Sequence, residues 1–260
     1  MKGGAALEAA DVNNADAFRL LVQHAEGSSA ASREFGVIEA IATGAPFSFF
    51  NPILALRVAS APVDLRRAVG WMDSFGLASS IQIREDRDPG LVATARRLGF
   101  EMNPRPVPVY VLDPLPVDVP PPPEGVDLRV GGRQLAADWY AGNDAGPALR
   151  SLFTPSFLDD PRVRAVVAYF EERPVSTALA IAGGGVIGIY AVGTLPEVRR
   201  RGIGTAATWA AIRAGAEAWS ATTAILQSSS IGESVYEAMG FRQIGRYLQS
   251  ERPVSGAERS

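Results

Sequence analysis

Thr194-Leu195-Pro196-Glu197-Val198-Arg199-Arg200-Arg201-Gly202-Ile203-Gly204-Thr205 is the most informative stretch of this 260-residue chain. It follows an apolar run at 186–194 and opens an Ala-rich run at 205–219, so the local pattern is strand, turn, helix. Gly202 and Gly204 take side chains away where a ligand could approach the backbone. Amides of residues 200–205 can point outward at the start of the helix, and with the helix dipole they suit a pyrophosphate. The arginines add charge-assisted donors. On residues alone, a plain strand-to-helix turn with solvated arginines stays open beside the anion site. A nucleotide-hydrolase loop does not, because no Gly-Lys-Ser/Thr follows. A dinucleotide fingerprint fits poorly. It wants a third glycine where Ala207 stands and an acidic ribose ligand where the next strand gives Gln227 and Ser228.

Working outward, residues 126–250 read as strand (126–130), helices (134–141 and 147–153), and strands (163–170, 175–182 and 186–194). A helix (205–219), strand (222–227), helix (234–239) and strand (241–249) complete them. Gly183, Gly184 and Gly185 form a hairpin turn. A sheet flanked by helices on both faces follows from that order. Upstream, residues 1–16 read as a loose tail, and 17–26 as a short helix ended by Gly27. Residues 47–58 read as interrupted strand, 65–75 and 91–98 as helices, and 80–84 and 107–112 as strands. Between the halves lies a Pro-rich segment with four consecutive prolines, Pro120 to Pro123, expected to be an extended connector. The expected division is therefore an N-terminal domain at 1–113, a linker at 114–125, a C-terminal domain at 126–250 and a tail at 251–260. Leu98-Gly99-Phe100 echoes Met239-Gly240-Phe241, each after a strand and a helix, and suggests a degenerate duplication.

Composition narrows the function. With 47% apolar and 20% charged residues the chain can bury a real core. A net charge of -3 gives no bulk attraction to nucleic acid. The absence of Cys excludes a disulfide framework, a thiolate metal site and a Cys nucleophile, and the single His24 excludes a His-rich metal centre. No metal site is expected. There is no signal-peptide pattern and no run able to span a bilayer, so the expectation is a cytoplasmic protein without membrane contact.

A second block, Ser228-Ser229-Ser230-Ile231-Gly232-Glu233-Ser234-Val235-Tyr236-Glu237-Ala238-Met239-Gly240-Phe241, turns the anion loop into something more specific. The first stretch resembles the acyl-CoA loop of the general-control-related N-acetyltransferase (GNAT) family, Gln/Arg-x-x-Gly-x-Gly/Ala, with Arg199, Gly202 and Gly204 at its defining positions. The second resembles the family's Asn-x-x-Ala-x-x-Leu-Tyr-x-x-x-Gly-Phe run. Tyr236, Gly240 and Phe241 match it directly, Val235 stands for Leu, Gly232 for Ala and Ser229 for Asn.

The resemblance implies an α+β fold, a mixed and mostly antiparallel sheet flanked by helices, with the complete domain at 126–250 and a degenerate half before it. It implies acetyl-CoA as co-substrate. The backbone of Val192, Gly193 and Thr194 would meet the pantetheine arm, Arg199, Arg200, Arg201, Gly202, Ile203, Gly204 and Thr205 would hold the pyrophosphate, and Ser229 would be a further cofactor-binding residue. Tyr236 would protonate the departing thiolate. The acceptor would be an amine, favoured as a small molecule, attacking directly in a ternary complex. A non-catalytic acyl-CoA sensor is the alternative. Trp139, Tyr140, Phe153, Phe157 and Tyr190 are candidates to line the acceptor site, with core packing as the competing reading. Asp159, Asp160, Glu171 and Glu172 are weak candidates for the base. The N-terminal half lacks the Arg/Gly loop and has Ala95 where its echo would place a Tyr, so it is expected to be catalytically silent. The protein would be a monomer or a homodimer.

Overall fold

The computed structural model describes residues 3–26, 30–87 and 89–253. In chain order, helix α1 (Gly3–His24) is followed by strands β1 (Ala31–Phe35), β2 (Ile38–Ala42) and β3 (Pro52–Ala55) and helix α2 (Pro62–Asp73). Then come β4 (Ser79–Arg84), α3 (Pro89–Arg97), β5 (Glu101–Met102) and β6 (Val107–Leu112). The second half runs β7 (Val126–Gly131), three short helices α4 (Ala136–Gly142), α5 (Pro147–Arg150) and α6 (Pro155–Leu158), then β8 (Val163–Phe170), β9 (Arg173–Gly183) and β10 (Val186–Thr194). It closes with α7 (Ile203–Trp219), β11 (Ala224–Gln227), α8 (Glu233–Ala238) and β12 (Arg242–Arg252).

The described residues form two compact units, one from Met1–Ala17 and Val109–Ile244, the other from Phe18–Pro108 and Gly245–Ser260. In the first unit the sheet order is β7-β8-β9-β10-β11-β6. Every neighbouring pair is antiparallel except β10 and β11. Helix α7 covers one face. Its small residues allow a close approach, and Ile203, Ala207 and Ile212 pack in one cluster with Ile187 and Ile189 of β10. Burying each such isoleucine is worth about 1.5–3 kcal/mol. That packing holds the helix start at the end of β10.

The second unit has the order β1-β2-β3-β4-β12, with β5 beside β12. Leu65 and Met72 of α2 and Leu91 and Ala95 of α3 pack with Ile53, Ile81 and Ile83 of the sheet. Its pairing repeats that of the first unit. The run β1-β2-β3 is antiparallel and β3 pairs with β4 in parallel around α2, as β8-β9-β10 is antiparallel and β10 pairs with β11 in parallel around α7. In each unit the strand that completes the sheet comes from the other half of the sequence, β6 on β11 and residues 247–252 of β12 on β4. Each open strand edge needs a partner, and either strand supplies the same ladder.

The compact units are therefore cut at other points than the expected domains. The Pro-rich segment lies inside the first unit: Leu115 and Val119 pack against its core, and the Leu115 amide donates to Thr222 O (3.1 Å). Residues 3–16, expected as a loose tail, are helix. Glu251 and Arg252, expected in a C-terminal tail, are strand. Gly27 and residues 254–260 lie outside the described residues.

Helix α1 sits against the β9–β10 hairpin, and two of the hairpin glycines, Gly183 and Gly184, make room for it. Gly184 has φ +58°, and a Cβ there would stand 2.5 Å from Ala9 O. Gly184→Ala should lower stability by about 1–3 kcal/mol, through left-handed strain and overpacking against backbone. Thermal unfolding checks this; an unchanged midpoint would remove the close approach.

Candidate active site

After β10 the chain makes a single 3-10 turn at Pro196–Val198 and reaches Arg199 in extended conformation. Arg200 (φ +62°) and Gly202 (φ +77°) then adopt left-handed backbone, and α7 begins at Ile203. No side chain caps α7, and its first turn holds no acidic residue. The first amides of a helix lack intrahelical acceptors, so this end offers uncapped donors and the positive end of the dipole. The Arg199 Nε donates to Thr194 O (2.9 Å), which ties the loop to β10. Arg201 lies over the Phe170 ring at 5.4 Å. Among the described residues, neither Arg200 nor Arg201 pairs with a carboxylate. At Gly204 a Cβ would come within 2.8 Å of Thr194 Oγ1, so the loop and the strand end are in close contact.

The equivalent turn of the second unit lacks this character. Helix α2 begins with Pro62, which has no amide to offer, and carries Asp64 in its first turn. No anion is favoured there.

Strands β10 and β11 pair only at Ile187↔Ala224, Gly188↔Ile225 and Ile189↔Leu226. Beyond Ile189 the β10 edge is not paired by β11. On its other edge β10 bulges between Tyr190 and Gly193, where Ala191 and Val192 stand opposite the single residue Ala178 of β9, and Ala191 takes φ +48°. A non-glycine residue held there costs on the order of 1–2 kcal/mol, and the surroundings enforce it. Ala191 O accepts from Thr177 Oγ1 (3.2 Å) and from Asn143 Nδ2 (3.1 Å), and Gly193 O accepts from Ser176 Oγ (2.6 Å). The bulge re-aims Val192, Gly193 and Thr194, all half-buried, while β9 holds their neighbours. Backbone donors along an open, rigid edge can orient a carbonyl and stabilise developing negative charge on it.

Tyr236 lies on α8, just beyond the end of β11. Its ring packs against Phe241 edge-on at 5.9 Å. The hydroxyl has no hydrogen-bond partner among the described residues, and burial alone raises its pKa above the ordinary tyrosine value. It is thus a protonated, uncommitted donor. Nearby on the first unit's sheet, the buried Tyr110 hydroxyl donates to Glu237 Oε1 (3.2 Å). Its pKa is pushed up to about 12, first by burial and then by Glu237 and Glu233. Ser229 is exposed, and its carbonyl accepts from Ser228 Oγ (2.8 Å).

The aromatic acceptor candidates require a correction. Trp139 is 1% exposed and Phe157 fully buried, and they pack with Phe153, itself buried, at ring distances of 5.2 Å (Trp139–Phe153) and 5.4 Å (Phe153–Phe157). These three rings form core rather than a wall, because α4 and α6 bury them together. Tyr140 is half-buried, and its hydroxyl donates to Phe153 O (2.8 Å). The residue of this region that reaches the bulge is Asn143, at the C-terminal end of α4. Tyr190 is half-buried and donates to Asn13 Oδ1 (2.6 Å). Desolvation, and then the charge of Asp16, raise its pKa strongly. Among the candidate bases, Asp159 pairs with Arg133 (2.8 Å) and Asp160 with Arg162 (2.8 Å). Glu171 and Glu172 form an exposed turn with positive φ. Nothing in the sequence pattern singled out Asn13, Asn143, Ser176 or Thr177. The only signal was at Ser176 and Thr177, two small polar residues inside an otherwise apolar run.

Among the described residues no helix is long and apolar enough to cross a membrane, and no three His, Asp or Glu residues are grouped so as to hold a metal. Comparison with solved structures gives the fold. A GCN5-related N-acetyltransferase from Kribbella flavida is 22% identical, with a TM-score of 0.69 over 90% of this chain and 92% of that one. A tandem GNAT protein from the clavulanic acid biosynthesis pathway is 15% identical, with a TM-score of 0.61 over 98% and 96% of the two chains. A functionally unknown conserved protein from Staphylococcus epidermidis ATCC 12228 is 18% identical, with a TM-score of 0.60 over 88% and 93%. No curated protein matches the sequence. The architecture is the GNAT fold. Residues 133–241 match the model of the Acetyltransferase (GNAT) family.

Proposed function

We propose that this protein is an N-acyltransferase that moves an acetyl group from acetyl-CoA to an amine of a small molecule, by direct attack in a ternary complex. One observation carries the reading: the bulged, open edge of β10 runs straight into the uncapped, arginine-lined start of α7. Arg199 to Thr205 hold the pyrophosphate by backbone amides and guanidinium donors. Val192, Gly193 and Thr194 meet the arm and polarise the thioester carbonyl. The amine nitrogen forms the new C–N bond as the C–S bond breaks. Its proton leaves through water, since Asp159 and Asp160 are committed to arginines. Tyr236 gives its proton to the departing sulfur. Without Cys no covalent thioester route exists. The second unit acts as a degenerate, silent copy.

The test is incubation with acetyl-CoA and a library of amines and amino acids, following thiol release and product mass. Release with one acetylated product class is expected. Tight acetyl-CoA binding with no product from any acceptor would replace the enzyme with an acyl-CoA sensor.

A further inference from the structure

The ladder between β10 and β11 stops at Ile189 and Leu226. The next residues are Tyr190 and Gln227. By strand alternation both stand on the face opposite Ile187 and Ile189, away from α7. Each is held by one residue of α1, and the two residues are consecutive. The Tyr190 hydroxyl donates to Asn13 Oδ1 (2.6 Å), and Gln227 Nε2 donates to Asn14 Oδ1 (2.9 Å). Asn13 is fully buried and is itself anchored, its amide donating to Ile181 O (3.0 Å) and Gly183 O (3.1 Å) of the hairpin. Space is kept for it: a Cβ on Gly188 would collide with Asn13 Oδ1.

We infer that Asn13 and Asn14 form a strut that sets the opening between β10 and β11. Where the backbone ladder ends, a helix takes over the spacing. Neighbouring Cα atoms in a helix are about 3.8 Å apart and cannot separate, so the two strand ends are held at one distance. A gap held open before the ligand arrives spares the ordering cost of binding. The inference rests on the acyl-CoA reading, because the gap is where the acyl-bearing arm would lie. Asn13 and Asn14 are positioning residues and touch no reacting atom.

The test uses the whole protein and two ligands. Acetyl-CoA fills both the loop and the gap; 3′-phospho-ADP, the CoA fragment that ends at the pyrophosphate, fills only the loop. Asn14→Leu removes the acceptor at near-constant volume, and Tyr190→Phe removes the donor while keeping the ring. Should Asn14→Leu fail to fold, Tyr190→Phe tests the strut from the other strand. Loss of a buried hydrogen bond at each strand end should weaken acetyl-CoA about tenfold in the double variant, and 3′-phospho-ADP by less than about twofold. Equal weakening of both ligands, or of neither, overturns the strut. Wild-type protein that binds 3′-phospho-ADP but not acetyl-CoA overturns the acyl-CoA reading as well, and is recognised before any variant is made.

Discussion

Gly202→Val should cut acetyl-CoA affinity by about two orders of magnitude, with only a small shift in thermal stability. Gly202 holds φ +77° at the N-cap of α7, a conformation that a β-branched residue resists by on the order of 1–2 kcal/mol. The space itself is open, since the nearest foreign atom to a new Cβ is Pro123 Cγ at 3.4 Å. The damage is therefore local. The valine methyls occupy the approach to the first amides of α7, and the loop must turn to relieve the strain. Losing two charge-assisted hydrogen bonds at about 1.5–3 kcal/mol each is enough for the stated loss. Calorimetric titration with acetyl-CoA measures it. A dissociation constant within about threefold of wild type would move the pyrophosphate elsewhere.

Tyr236→Phe should leave acetyl-CoA affinity nearly unchanged and lower turnover by about 10²- to 10⁴-fold, the range for loss of a positioned general acid. The ring keeps its edge-on contact with Phe241, so the fold is preserved. The pH dependence has a definite sign. Burial raises the pKa of this phenol, so the protonated form that can act as an acid is filled at every pH below the ordinary tyrosine value, about 10. Tyr236 should then contribute no alkaline fall in turnover between pH 7 and about 10. A fluorinated tyrosine of lower pKa should bring that fall into the measurable range. Equal turnover in wild type and Tyr236→Phe would assign the phenol to packing.

The strand, loop and helix from Val186 to Trp219 were legible because three local signals coincide there: an apolar run, an Arg/Gly turn and an Ala-rich period. The limits of β6, β8 and β10 follow directly from their apolar runs. Helix α1 was not legible as a single element. Its inward face carries Asn13 and Asn14, 0% and 2% exposed, so polarity and burial disagree where periodicity would have to be read. The hydrogen bonds of that face join residues 168 to 213 positions apart, a separation that leaves no local pattern. The rings of Trp139, Phe153 and Phe157 misled in the opposite sense: aromatic character is the same for a ligand wall and for a core, and only burial separates them. Strand exchange is also invisible locally, because β6 and β12 carry the same alternation whichever edge they complete.

That exchange bears on heredity. If, as proposed, only the second half is catalytic, a gene coding for both would ordinarily be free to shed the first. Here the sheet of the first unit takes β6 and the opening turns of α1 from the first half of the chain, while residues 247–252 of β12 pair in the second unit. Deleting the first half would strip the second of a sheet edge and of the helix beside its hairpin. On the proposed reading, the first half can carry Pro62 and Asp64 where an anion loop would stand and still be needed as scaffold.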